Sequence, residues 1–196
     1  TIINLDSSFS GRDLLRTTLR ASNFSADAPF GNNVAAQERG FTGSGDNVVV
    51  DRAFYQFPIG EDFTATFGAK VRQDDILGVW PSDYPSDSIL DVLTYAGANK
   101  AYPLTVGAGF GLSYLSDSGR WSATALAISE EGDQVNEGIW KENADDVVTT
   151  QLAYLGDRWR IALANTVADD GQNWGEGSSV DQYNAWGLSG VYQIDA

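Results

Sequence analysis

The chain has 196 residues and a formal net charge of −15, from 12 Lys+Arg against 27 Asp+Glu, with no Cys, His or Met. That composition removes disulfide scaffolds, thiolate metal sites, imidazole-based catalysis and ordinary zinc or haem sites. The charge argues against a general nucleic-acid surface, and no run approaches the roughly 18 apolar residues that a membrane-spanning helix needs.

Thr1-Ile2-Ile3-Asn4 is not a signal peptide and has no initiator methionine. The sequence is therefore expected to be a processed chain or a piece of a longer one.

Alternation with period two recurs along the chain, whereas helical periodicity is poor. It predicts nine strands, at about 2–10, 13–24, 48–59, 63–72, 105–115, 120–129, 146–155, 159–168 and 184–194. Most run to about ten residues, the length with which a tilted strand crosses a bilayer. Ser10-Gly11-Arg12, Gly60-Glu61-Asp62, Ser116-Asp117-Ser118-Gly119 and Gly156-Asp157-Arg158 read as tight turns. Long polar stretches at about 25–47, 73–104, 130–145 and 169–183 separate these hairpins. Short turns alternating with long loops suit a membrane barrel better than a soluble sandwich.

The strand faces point the same way. In 63–72, Phe63, Ala65, Phe67, Ala69 and Val71 oppose Thr64, Thr66, Gly68, Lys70 and Arg72. In 105–115, Val106, Ala108, Phe110, Leu112 and Tyr114 oppose Thr105, Gly107, Gly109, Gly111 and Ser113. Strands 13–24 and 159–168 repeat the pattern, with Thr17 and Asn165 as polar exceptions on the apolar side. A lipid-facing surface has to be apolar, while an inner wall can be polar. Small inner residues leave room for a lumen or a packed plug. Phe57 with Phe63, Tyr114 with Trp121, and Tyr154 with Trp159 bracket tight turns, as an interfacial aromatic girdle would.

The charges are sorted. Of the 27 acids, 18 lie in the four long stretches (three, five, six and four in chain order). Arg16, Arg20, Arg52, Lys70, Arg72, Arg120 and Arg160 fall instead within predicted strands, on the face assigned to the interior, and are candidate pore-lining residues. A basic wall predicts anion preference, opposed by acidic loops at the mouth. Stretch 73–104 is the candidate constriction loop, with Asp74, Asp75, Trp80, Asp83 and Tyr84 as the residues that would narrow the pore if it folds inward.

Glu130-Glu131-Gly132-Asp133 and Asp169-Asp170-Gly171-Gln172-Asn173 have hard oxygen ligands around a glycine, but neither has the spacing of a calcium loop. They read as solvated acidic loops, so no metal site is assigned. No carboxylate pair stands out for glycosidase chemistry, and Gly107-Ala108-Gly109-Phe110-Gly111 lacks the lysine and helix of a phosphate loop. No catalytic residue and no cofactor are expected.

Two stretches carry a family resemblance. Asn4-Leu5-Asp6-Ser7-Ser8-Phe9-Ser10-Gly11-Arg12-Asp13-Leu14-Leu15-Arg16-Thr17-Thr18-Leu19-Arg20 resembles the first hairpin of cyanobacterial outer-membrane porins of the OprB-type carbohydrate-selective family. Ala53-Phe54-Tyr55-Gln56-Phe57-Pro58-Ile59-Gly60-Glu61-Asp62 resembles the second.

The resemblance implies an all-β, antiparallel transmembrane β-barrel of about sixteen strands in the cell outer membrane, often trimeric. It implies passive transport of small hydrophilic solutes: carbohydrates in the wider family, inorganic ions in the cyanobacterial branch. Outer-membrane lipid and two further copies are then the expected partners. Full members also carry an N-terminal S-layer-homology domain, which this sequence does not include. Residues 1–196 would form one partial barrel domain, its nine strands being the N-terminal part of the barrel. Two other readings stay open: a β-rich surface assembly joined edge to edge without transport, and a soluble carbohydrate-binding β-sandwich.

Overall fold

The computed structural model of the protein describes residues 1–23, 45–84, 91–132, 145–169 and 182–194. The predicted stretch 25–47 and the acidic cluster 169–173 lie largely outside these residues, while of the cluster 130–133 only Asp133 does.

Nine strands form one antiparallel sheet in chain order. They are β1 (Ile2–Ser7), β2 (Leu14–Arg20), β3 (Val49–Ile59), β4 (Phe63–Arg72), β5 (Val106–Leu115), β6 (Trp121–Ser129), β7 (Asp146–Leu155), β8 (Trp159–Asp169) and β9 (Gln182–Tyr192). The sheet is open among the described residues: β1 and β9 each pair with a single neighbour. The all-β antiparallel expectation is met, and most strand limits fall within two residues of those read from the alternation.

β1 and β2 are the exceptions: β2 ends at Arg20, and β1 ends at Ser7 because the Asp13 carboxylate gathers the turn. It accepts from Ser8 Oγ at 3.0 Å, from the backbone N–H of Phe9 at 3.0 Å and of Ser10 at 2.6 Å, and from the Ser10 hydroxyl. The Tyr55 hydroxyl donates to it from β3 at 2.9 Å. The Ser10 hydroxyl first, then these backbone donors, hold the Asp13 carboxyl well below the usual carboxylate range.

The two faces of the sheet have opposite chemistry, in the reverse sense to a soluble protein. On β7, outward Val148 and Leu152 are 41% and 52% exposed, while inward Thr149 and Gln151 are 0% and 4% exposed. Outward Phe110, Leu112, Ile161, Leu163, Trp186 and Leu188 are exposed too. Inward Thr66, Ser122, Thr124, Thr166 and Ser189 are buried.

The inward face is covered by the segment that follows β4. Sequence reading left 73–104 without regular structure; it contains two single helical turns, α1 (Gln73–Ile76) and α2 (Asp91–Thr94). Its described parts pack over β5–β9 and reach back to β3 and β4. Ile76 joins Phe54, Val71, Leu126 and Ile128 in one apolar cluster. Tyr95, Ala101, Tyr102 and Leu104 join Ala164 in a second, and Val79 meets Ala153 and Ala162 in a third. The core thus lies between sheet and insert.

Val71 departs from the expected outward position. A register shift pairs Ala53 with Lys70 but Phe54 with Gly68, so Ala69 is an extra residue in β4. This bulge turns Val71 onto the covered face, where it is fully buried.

Ring contacts also differ from the bracketing pattern. Tyr154 stacks on Trp159 at 5.1 Å across its turn, as expected. Phe63 packs on Tyr114 at 5.1 Å and Trp121 on Tyr154 at 4.9 Å, each joining neighbouring hairpins. Adjacent strands bring such rings directly opposite one another, and that favours the lateral pairing.

Glycines on the inner face set the closeness of the insert. A Cβ at Gly111 would lie 2.5 Å from Ile76 Cγ2 and 2.8 Å from Leu126 Cβ. Gly111→Val is expected to destabilise the protein by about 1–3 kcal/mol through overpacking, read as a lowered midpoint in chemical denaturation. An unchanged midpoint would contradict the packed insert.

Candidate functional site

Inward-facing polar groups on seven strands converge on the insert and on a hollow beside it. The strand alternation puts Thr124, Thr149, Gln151 and Thr166 on one face, and their hydrogen bonds hold the insert's backbone. Gln73 Nε2 donates to Thr149 Oγ1 at 2.7 Å and to the Ala101 carbonyl at 3.2 Å. Thr166 Oγ1 donates to the same carbonyl at 2.7 Å and lies 2.8 Å from Thr149 Oγ1. Gln151 Nε2 donates to the Val79 carbonyl at 2.8 Å and to Tyr102 Oη at 3.1 Å, and Gly78 N–H donates to Thr124 Oγ1 at 3.0 Å. Burial of Tyr102 raises the pKa of its hydroxyl.

Over β1–β4 the insert leaves a hollow of about 300 Å³. Asn4, Arg16, Thr18, Asp51, Arg52, Gln56, Arg72, Asp74 and Asp75 give it its polar lining. Here the predicted basic residues meet acids. Arg16 grips Asp6 with two bonds, Nε at 2.8 Å and Nη2 at 2.7 Å. Arg72 grips Asp74 with the same fork, at 2.5 Å and 2.7 Å. Arg20 approaches Asp51 at 3.6 Å. Arg52 reaches Asp51 at 2.9 Å and Asp75 at 3.0 Å.

Asp75 also accepts the Arg72 backbone N–H at 2.8 Å. Burial, reinforced by the neighbouring Asp74 carboxylate and only partly offset by Arg52 and Arg72, pushes the Asp75 carboxyl up to about 6.

The seven predicted pore-lining residues therefore divide. Arg16, Arg52 and Arg72 line the hollow, and Arg20 joins their network. Arg160 stands on β8 and ties the insert by a 2.6 Å ion pair to Asp83. Arg120 lies one residue before β6, on the tight-turn side, and pairs with Asp157 at 2.9 Å while both remain exposed. Lys70 is shifted by the bulge to a place opposite Ala53, which belongs to the outward set.

Among the constriction candidates, Asp74 and Asp75 anchor the start of the insert and Asp83 its middle. Trp80 packs edge-on against Tyr102 at 5.6 Å, and Tyr84 is exposed. Sequence reasoning missed the role of Gln73 and Gln151. Their one signal was an amide in a stretch otherwise patterned for burial.

All six of these arginines have an acidic partner, so the inner wall is close to charge-balanced. Asp6 and Asp51, which compensate Arg16 and Arg20, lie within β1 and β3, outside the long acidic stretches. No protein-family model matches the chain, and neither a curated protein nor a solved structure does.

The two kinds of ion pair differ in cost. The Arg52 and Asp75 side chains are 6% and 13% exposed, those of Arg16 and Asp6 31% and 43%. Arg52→Ala would leave buried aspartates uncompensated and is expected to cost about 3–5 kcal/mol. Arg16→Ala is expected to cost about 1 kcal/mol or less. Equal losses in denaturant midpoints would contradict this division.

Proposed function

We propose that the sheet is part of the wall of a transmembrane β-barrel and that the protein is an outer-membrane porin. It would pass small hydrophilic solutes and inorganic ions by diffusion. The observation that carries this reading is the inverted sheet, exposed where it is apolar and covered where it is polar. In water, an outward surface bearing Phe67, Phe110, Leu112, Leu152, Leu163, Trp186 and Leu188 is far larger than a soluble monomer ordinarily leaves bare. In lipid it costs nothing, and the hydrogen-bonded inner face meets the need for internal polar satisfaction.

The dimensions agree. β3–β9 have 9–11 residues each. At about 3.3 Å per residue and a tilt of about 40°, such strands rise roughly 23–28 Å, close to the apolar band of outer-membrane barrels. The rings of Phe63, Tyr114, Trp121, Tyr154 and Trp159 gather at the tight-turn edge, where a girdle would sit.

Closure is part of the proposal. Lipid cannot satisfy the free edges of β1 and β9, so further strands have to pair with them; a barrel of about sixteen strands would provide these. Assembly as a homotrimer belongs to the same reading. With the insert filling the inner face over β5–β9, the hollow over β1–β4 is the water-lined side. Solutes would pass the Arg16–Asp6 and Arg52–Asp75 pairs there. The described residues require no cofactor for such passage.

The test is conductance in a planar bilayer, using protein taken from its native membrane. Stepwise openings are expected, from a protein that stays dispersed only with detergent. A detergent-free soluble monomer, or an inserted protein that passes no current, would overturn the porin.

A further inference from the structure

We infer that Asp75 is a protonation switch for ion selectivity, its carboxyl deciding whether the hollow beside the insert is neutral or carries one excess positive charge. This rests on the channel reading above and assigns its selectivity to one side chain.

The observation behind it is a set of charges that balances among the described residues. Four arginines (Arg16, Arg20, Arg52, Arg72) face four aspartates (Asp6, Asp51, Asp74, Asp75). They come from every element around the hollow. Asp6 is on β1, Arg16 and Arg20 on β2, Asp51 and Arg52 on β3, Arg72 at the end of β4, and Asp74 and Asp75 on α1. The set sums to zero when all four acids are ionised.

The aspartates are not equivalent. Asp6 and Asp74 each have a two-bonded arginine fork of their own. Asp51 has Arg20 and Arg52 beside it. Asp75 shares Arg52 with Asp51 and takes a backbone N–H from Arg72, whose guanidinium fork is held by Asp74. It also follows Asp74 directly in the chain, and both side chains are largely buried. Two adjacent carboxylates at low exposure repel one another, and the less compensated one takes up a proton first.

The raised Asp75 carboxyl, at about 6, agrees with that order. Its protonated form prevails below this value, which leaves four positive charges against three negative. Asp75 lines the hollow, so the excess acts on ions that pass it.

The sign follows from linkage. A proton held above the ordinary carboxylate range is lost as pH rises through about 6, so the wall is neutral above that pH and positive below it. One unit charge at roughly 5 Å in water, partly screened by salt, raises local anions and lowers local cations about twofold each, so their ratio changes about four- to sixfold.

Reversal potentials in a salt gradient, at about pH 7.5 and about pH 5, test the switch in wild type and Asp75→Asn. Wild type is expected to gain about four- to sixfold in anion over cation permeability on acidification. Asp75→Asn is expected to show the raised ratio already at the higher pH and little further change. A variant with the wild-type ratio at both pH values would overturn the switch.

Carbon-13 NMR of aspartate carboxyls in detergent micelles reads the same group without current. One carboxyl titrating near 6 in wild type and absent from Asp75→Asn is expected. Its absence from wild type overturns the switch, whatever the conductance. Absence of conductance with that titration present overturns the channel, and with it the selectivity role, while leaving the protonation in place.

Discussion

The need to satisfy buried polar groups governs this structure more than any apolar core does. The inner face of the sheet is lined with Thr, Ser, Gln and Arg, and the insert after β4 covers it. Each covered group would cost about 1–3 kcal/mol if left without a partner. The insert meets that need with its own backbone: carbonyls of Val79 and Ala101 accept from Gln151, Gln73 and Thr166. The apolar clusters then fill the spaces between these hydrogen bonds. Ile76, Ala101 and Val79 reach the wall because Gly111, Gly187 and Ala162 offer little bulk there.

This arrangement makes the insert a fixed part of the wall. Gln73 and Tyr102 are fully buried, and Asp83 is pinned to Arg160. The consequence is a division of the inner face: over β5–β9 it is packed, and over β1–β4 it is a hollow bounded by paired charges. Function in the proposed channel therefore concentrates on β1–β4 and α1. The outward face has a different duty along β4–β9, that of presenting mainly apolar side chains to its surroundings, with Thr150, Asn165 and Asn184 as polar exceptions.

Much of this was legible in the alternation. A period of two in residues 63–72, 105–115 and 159–168 gave both strand limits and faces, because side chains on a strand can only alternate. Three things were hidden. The bulge at Ala69 adds one residue without disturbing the apparent alternation, so Val71 and Lys70 read onto the wrong faces. The ion pairs of Arg20 and Arg52 depend on Asp51 and Asp75, which are brought to them by strand register and by the return of α1; neither is visible as spacing. The contacts of Gln73 join residues 28 and 76 positions apart, beyond any local pattern. Six of the seven basic residues read within strands lie on them, Arg120 falling one residue short of β6, but the charge of the arginines is balanced by partners that only the fold brings near.

The most direct test asks what touches the outward face. The chain has no cysteine, so single spin labels can be placed by Leu152→Cys and Leu163→Cys, on protein reconstituted in lipid. A lipid-facing sheet predicts that dissolved oxygen relaxes both labels strongly and that a water-soluble nickel chelate barely reaches them. Strong relaxation by the chelate at both positions would place this face in water and contradict the membrane-spanning sheet.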